Sequence, residues 1–439
     1  MAVYTISMQK SNSSSEHNLR WHLDYPREDE TVDDKVLKEV GLLFQGWFLN
    51  EKHSILSLVL LNGNNITPLS FSRNRPDVVA KVLKDEPESH ALLQCGFSER
   101  ITFIHSDFSI GIIENGKFTE LLSGSVDAKF KVLKGKDKWL FLDNDTNKSI
   151  EQHTGKLKLS KTAKQEWKSY LTSLDDFSRS CKVPVCMLVA PSKEMVYENF
   201  YPHKLSKKAP INTILGLVPD SLNFLLPIEE LKNLEKRSFR VCDTHWTLHG
   251  AQAASVLLTK KLLGEDVDTL KVFETDKYRS REVTGDLGSK IFPPQRHVED
   301  SLLNFNYKKM VIFDNNLENF GRIIVMFNPQ AQIKKSLLIF GSSSSYTMFH
   351  YLCRLYKTVV FVHTAGNVDH EVINILKPEL ICMQTNARFV IKAPNFNDSV
   401  VKYINRKKTE KALKKPLVTK TIPEECRYFI NHFLEMLRD

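Results

Sequence analysis

The chain has no apolar run near the ~20 residues that a membrane-crossing helix takes. Its longest apolar stretches, such as Val183–Pro191 and Thr358–Val362, have the length of strands. Met1–Arg27 is polar and rich in Ser, Asn and His, without the apolar centre of a secretory leader. These two absences lead us to expect a cytoplasmic protein. No two of the seven cysteines, Cys95, Cys181, Cys186, Cys242, Cys353, Cys382 and Cys426, form a C-x-x-C pair, so they are read as reduced thiols. The chain also lacks G-x-G-x-x-G and G-x-x-x-x-G-K-[ST], which argues against nicotinamide or nucleotide-driven chemistry. Nothing beyond charge points to nucleic acid, and none is expected as a partner.

What the chain does have is enough length and apolar content for substantial cores. At 439 residues and 42% hydrophobic, it should form two or three domains. Lys and Arg outnumber Asp and Glu by 61 to 52, a net charge of +9 that suits anionic partners. Residues 28–125 show short β-branched and aromatic stretches, Ser54–Leu61, Ile101–His105 and Phe108–Ile113, with turn signals such as Asn62-Gly63-Asn64. We expect a small β-sandwich there. From 126 to 439, and clearly from Phe130 on, helix-like and strand-like segments alternate, the mark of an α/β layered domain with a mainly parallel sheet. Thr162 and Gln165 have capping-box spacing ahead of an apolar stripe at Trp167, Leu171, Leu174, Phe177 and Cys181. Strands are expected at Val183–Val189, Ser336–Phe340, Thr358–Val362 and Leu380–Met383, and helices at Leu248–Leu263, Thr347–Leu355, Asp369–Leu376 and Glu424–Leu437. The stretch around 271–330 is irregular, with two strands at Met310–Phe313 and Arg322–Phe327, and reads as an insertion. Arg406-Lys407-Lys408 reads as a solvated basic face.

Val241–Gly250, V-C-D-T-H-W-T-L-H-G, places an acid, a base and a bulky aromatic within four residues. In an extended segment Asp243 and His245 project to one side with Cα atoms about 6.5 Å apart, so the carboxylate can reach the imidazole. Leu337–Tyr346, L-L-I-F-G-S-S-S-S-Y, reads as a buried strand, a Gly turn and an exposed serine cluster. A serine hydroxyl is a weak nucleophile at neutral pH. An imidazole must take its proton, and a carboxylate must hold the ring tautomer and stabilise the imidazolium. A turn between strand and helix also offers backbone N–H groups to an oxyanion. The combination points to acyl transfer, with Ser342, Ser343 and Ser344 all candidates for the attacking hydroxyl. His245 and His249 stand four apart with Asp243 near, but no further Cys or His cluster adds a strong third ligand, so no metal is expected.

Four motifs occur in one order: Gly135–Phe141 (G-K-D-K-W-L-F), Ala190–Pro202 (A-P-S-K-E-M-V-Y-E-N-F-Y-P), Asp243-Thr244-His245-Trp246, and Gly341–Ser345. In these, the chain from about Phe130 to Arg388 resembles the SGNH-hydrolase-like domain of the alginate O-acetyltransferase family. In that family, too, the acid and base precede the serine. The resemblance implies an SGNH-like, flavodoxin-like layered fold, with Ser343 as nucleophile, His245 as general base and Asp243 as its orienting partner. Family members carry Asp or Thr before the serine where this chain has Ser342. Lys193, Tyr197, Tyr346 and Arg388 stand in family-like positions for lining a substrate pocket, and Trp246 walls it. The implied activity is O-acetylation of a bacterial surface polysaccharide, capsule-type and acidic, by a cytoplasmic enzyme at most peripheral to the inner membrane. Acetyl-CoA would be the donor substrate, with no bound cofactor and with capsule biosynthesis enzymes as partners. The rivals are an esterase with the same triad and a non-catalytic glycan-binding scaffold. Gly46-Trp47 and Arg73–Asp77 make the N-terminal region resemble β-sandwich modules of glycan-modifying enzymes, either as a structural appendage or as a carbohydrate-positioning module.

Overall fold

The computed structural model describes residues 3–11, 19–50, 56–128, 132–265, 267–410, 413–419 and 421–438. Ser54 and Ile55, at the start of one expected strand, and Phe130, at the expected onset of the α/β region, lie outside the described residues. The chain divides into two compact units, Met1–Val132 with Asp286–Gln295, and Leu133–Gly285 with Arg296–Asp439. The first unit thus takes in residues ahead of position 28 and a piece of the stretch read as an insertion.

The first unit holds two antiparallel sheets. One runs in the order Thr31–Asp33, Val3–Lys10, Lys117–Ala128, Asp107–Glu114, Leu56–Asn62, Asn65–Pro68; the other runs Arg20–Tyr25, Leu42–Leu49, Gly96–Ile101, Phe71–Arg73. Their apolar residues alternate as period-two patterning requires: Leu42, Phe44 and Phe48 are buried while Leu43, Gln45 and Trp47 are partly open. Tyr4, Ile6, Phe108 and Ile110 of the first sheet share a core with Phe44 and Phe97 of the second. Gly63, at φ +61°, turns the chain between the paired Asn62 and Asn65. The strand expected at Ile101–His105 is instead Gly96–Ile101. Past Ile101 the backbone bonds to a side chain: buried Asn62 accepts the N–H groups of Ile104 and His105 at 2.7 and 3.1 Å and donates to the His105 carbonyl. These bonds take the place of a ladder.

The second unit is built on an eight-stranded sheet in the order Asn223–Leu225, Val185–Ala190, Leu380–Asn386, Ile333–Gly341, Tyr356–His363, Ile323–Phe327, Val311–Asp314, Leu417–Val418. The first five strands are parallel and the last three antiparallel. Two strands expected inside an insertion, near 310–313 and 322–327, are therefore integral to the sheet. All six residues of Val185–Ala190 are buried, as a parallel strand covered on both faces requires. Helices Lys161–Cys181, Leu248–Leu263, Ser345–Leu355, His370–Leu376 and Glu424–Arg438 accompany the sheet. The first of them begins earlier than its capping-box spacing suggests. Ser160, not Thr162, is its cap and accepts the Ala163 N–H at 3.0 Å, which leaves Thr162 in the first turn. Among the described residues no helix is long and apolar enough to cross a membrane, and all seven cysteines are unpaired.

Two buried histidines make the second unit acid-sensitive. Burial lowers His153 and His363 from the ordinary 6.5 to about 4. The unfolded chain therefore binds protons that the fold refuses, so stability is complete above about pH 6.5 and is lost as pH falls towards 4. Each ring contributes up to about 3 kcal/mol to that loss. Thermal unfolding should show a midpoint that drops across this window, less steeply in His363→Asn. An equal slope in wild type and variant contradicts the assignment.

Candidate active site

Asp243 and His245 do not lie on an extended strand, as expected from the sequence. Phe239 and Trp246 form an isolated antiparallel bridge, Arg240 N–H donates to the His245 carbonyl at 3.2 Å, and the residues between them make a tight turn. The cause is the Asp side chain, which takes the backbone N–H two residues on, as Asp does in turns. Oδ1 of Asp243 accepts the His245 N–H at 2.9 Å and lies 2.8 Å from His245 Nδ1. One oxygen thus fixes both the turn and the ring. The Asp243 side chain is only 9% exposed. Burial resists its ionisation, but the hydrogen bond and charge of His245, with Arg240 at 3.7 Å, outweigh this and hold it well below the usual carboxylate range. An ionised Asp243 keeps the ring proton on Nδ1, so Nε2 faces outward as an acceptor. Gly285, at φ +69°, runs close behind the turn; a Cβ there would sit 2.3 Å from the Cys242 carbonyl oxygen.

Lys193 underpins this turn. Its Nζ is directed at the carbonyls of Arg240, Val241 and Asp243 at 3.1, 3.1 and 2.8 Å, over the rings of Trp139 and Phe141. Three donors meet three carbonyls in a side chain that is 4% exposed, a geometry that positions the turn. Lys193→Met should strand those carbonyls, lowering stability by about 2 kcal/mol or more and lowering kcat while KM for the acceptor stays constant. Steady-state kinetics beside a melting curve checks this; a rise in KM alone would place Lys193 in ligand contact.

The serine corner joins strand Ile333–Gly341 to helix Ser345–Leu355. Ser343 Oγ stands 3.2 Å from His245 Nε2. Its neighbours turn the other way, towards the polar end of strand Leu380–Asn386. Ser342 Oγ meets Gln384 Oε1 at 2.9 Å and Asn386 Oδ1 at 3.2 Å, Ser344 Oγ meets Asn386 Oδ1 at 2.8 Å, and Ser345 Oγ meets Gln384 Oε1 at 3.0 Å. The amide orientations follow from a donor that cannot be reversed. Ser342 N–H donates to Gln384 Oε1 at 2.7 Å, so Gln384 Nε2 is the end that donates to the Thr385 carbonyl and to Asn386 Oδ1. Asn386 Oδ1 is thereby fully engaged, which leaves Nδ2 as the donating end of a side chain that lines the adjoining pocket.

That pocket, about 40 Å³, is lined by His245, Trp246, Ser344, Asn386, Arg388 and Glu194 among others. Such a volume holds two or three waters or one small acyl group. Trp246, 1% exposed, donates its indole N–H to the Ser344 carbonyl at 2.8 Å, tying the acid-base turn to the serine corner. Arg388 is on the pocket wall. Tyr197 binds Ser238 through its hydroxyl, at 2.8 Å to N–H and 3.2 Å to Oγ, and packs in a tilted arrangement against Trp139. Tyr346 lines a different and wider cleft of about 800 Å³, with Arg240, Arg281, Lys308 and Lys309, and its hydroxyl meets His363 Nδ1 at 3.1 Å. His249 is paired with Asp300 at 3.0 Å. Of the residues expected at the site, His245, Trp246, Lys193 and Arg388 line this pocket, Asp243 and Ser343 join it through their bonds to His245, and Tyr197 and Tyr346 are not on its wall. Sequence reading missed Gln384 and Asn386. The signal was present as three polar residues, Gln384-Thr385-Asn386, continuing an apolar strand without leaving the interior.

A serine between strand and helix, opposed by a histidine that a buried carboxylate orients, is the arrangement of a nucleophile-base-acid site. No family model matches the chain, and no curated protein matches it. Among solved structures it is similar to Bacillus cereus PatB1, at 15% identity over 60% of this chain and 97% of that one, with a TM-score of 0.43. It is also similar to the O-acetyltransferase domain of Pseudomonas putida AlgJ (14%, 64% and 99%, 0.37) and to a DHHW family protein from Eubacterium siraeum (11%, 58% and 90%, 0.39). At these identities and scores the likeness carries no weight for what this chain does.

Proposed function

We propose that this chain is a serine-dependent O-acetyltransferase that forms an acetyl-Ser343 intermediate and passes the acetyl group to a carbohydrate hydroxyl. The single observation that carries the reading is the continuous line from Asp243 Oδ1 through His245 to Ser343 Oγ, at 2.8 and 3.2 Å. His245 Nε2 takes the Ser343 proton as Oγ attacks the acyl carbonyl, and the imidazolium that forms is stabilised by Asp243. As the tetrahedral intermediate collapses, His245 returns the proton to the leaving group. It then deprotonates the acceptor hydroxyl for the second half-reaction. Asn386 Nδ2 stabilises the oxyanion, since its carbonyl end is held back by Ser342, Ser344 and Gln384.

Acetyl-CoA as donor and an acidic, capsule-type polysaccharide as acceptor belong to the same reading. They rest on the four-motif resemblance and on the expected cytoplasmic setting, where a thioester is met directly. The wide cleft with Arg240, Arg281, Lys308 and Lys309 offers the charge that donor phosphates need. The test is intact-protein mass spectrometry after incubation with acetyl-CoA, then with acetyl-CoA and a polysaccharide panel. The expected result is one acetyl group on Ser343, discharged onto sugar. Discharge to water alone makes the chain an esterase. No acylation by either acetyl-CoA or p-nitrophenyl acetate overturns the proposal.

A further inference from the structure

Beside the acyl pocket lies a second, smaller cavity of about 20 Å³, and Ser149, Ser192, Glu194 and Arg388 line both. The smaller one is also lined by Gln152 and His153. Three buried polar atoms on its walls, Ser149 Oγ, His153 Nε2 and Arg388 Nε, have no hydrogen-bond partner. Ser149 and His153 are each 4% exposed. A buried polar atom left unmet costs about 1–3 kcal/mol, so three on one small cavity describe a place shaped for something polar.

The kind of occupant follows from the donors and acceptors. Burial keeps His153 neutral, its pKa lowered to about 4, and its ring also bonds the His203 backbone. With Nε2 unpartnered, that bond belongs to Nδ1, which carries the proton and leaves Nε2 a bare acceptor. Arg388 Nε is an unmet donor, and Ser149 Oγ can do either. A hydroxyl group satisfies the set, giving its proton to His153 and accepting from Arg388. A carboxylate has nothing to give His153, and a methyl group meets none of the three. The helix that carries Ser149 and His153 is tied to the far side, since Gln152 Nε2 donates to the Arg388 carbonyl at 2.8 Å and to the Asn147 carbonyl at 2.6 Å. The cavity walls are thus held in place before any ligand arrives.

The geometry points to a subsite for a second, non-reacting hydroxyl of a polyhydroxylated acceptor, held by Ser149, His153 and Arg388 beside the pocket that His245 lines. This rests on the function proposed above and deepens it. The acceptor is selected by a hydroxyl it does not lose, so a sugar is preferred over a simple alcohol with the same reacting group.

Two readouts test it. With p-nitrophenyl acetate as donor, methyl glucoside and cyclohexylmethanol compete as acceptors, and the ratio of their acetyl esters is measured by mass spectrometry. A ratio does not depend on how much protein is folded. Wild type should favour the glucoside by about tenfold or more, and Ser149→Ala and His153→Asn should each lose most of that preference. Equal use of both alcohols by wild type, or an unchanged ratio in both variants, overturns the subsite and leaves a cavity that holds water only. Saturation-transfer NMR of methyl glucoside on the Ser343→Ala protein reads occupancy without turnover. Sugar signals that vanish on adding Ser149→Ala support the subsite even if no acetyl is ever transferred, in which case the failure lies with the proposed activity. Absence of those signals in the Ser343→Ala parent overturns the subsite even if the triad turns over.

Discussion

Ser343→Ala should abolish acyl-enzyme formation and lower kcat by roughly 10⁴- to 10⁶-fold, and adding His245→Ala should lower it little further. The reason is that the two groups act as one device. His245 Nε2 has a proton to take only while Ser343 Oγ stands 3.2 Å away, and Ser343 is nucleophilic only while that nitrogen is bare. Asp243→Asn tests the third member differently. Its amide oxygen would still accept the His245 N–H and Nδ1–H, which both reach Oδ1, so the ring tautomer is kept while the charge that stabilises the imidazolium is lost. A loss smaller than that of Ser343→Ala is expected, with the fold intact. The measurement is the pre-steady-state burst of p-nitrophenol from p-nitrophenyl acetate, with circular dichroism for the fold. Losses that multiply in the double variant would mean the two residues act independently. A burst retained in Ser343→Ala would move the nucleophile elsewhere in the corner. Ser342 and Ser344 are poorly placed for that, because both hydroxyls are taken up by Gln384 and Asn386.

The parts of the second unit that announced themselves in the sequence did so through period and composition. Val185–Ala190 and Val359–Val362 are continuous apolar runs of strand length, and helix Leu248–Leu263 carries its apolar residues at helical spacing. The strands around 311–314 and 323–327 were legible as strands but not as members of the main sheet. Pairing partners such as Val325 and Val360 lie far apart in the chain, and only tertiary structure joins them. The acid-base motif was legible as residue types but not as geometry. A period-two argument puts Asp243 and His245 on one side of a strand. The Asp side chain instead bonds the backbone N–H two residues on and bends the segment, still bringing carboxylate and ring together. Lys193 was marked by its position in a motif, yet position could not distinguish a ligand-facing lysine from one spent on three carbonyls. That difference lives in burial.

Asn386→Ala should lower kcat by roughly 10²- to 10³-fold with little change in KM, as removal of one oxyanion donor does. The expected loss comes from a fixed dipole. An amide that rotates must reorganise when negative charge develops, and the cost of turning offsets the gain. Asn386 cannot turn, because Ser342, Ser344 and Gln384 converge on its carbonyl end and Gln384 is itself set by the Ser342 backbone N–H. Its Nδ2 therefore needs no reorientation when charge develops. Asn386→Asp keeps the size but places carboxylate oxygen where the donor was, next to the forming oxyanion, and should be at least as damaging as Ala. Gln384→Glu leaves Asn386 in place but removes one of the donors that hold it, so a smaller loss in kcat is expected, again without change in KM. The pattern that contradicts this is a variant series in which KM rises and kcat holds, since a group that merely contacts bound substrate acts on ground state and transition state alike. Parallel melting curves separate the remaining case, in which all three variants lose activity only as far as they lose the fold.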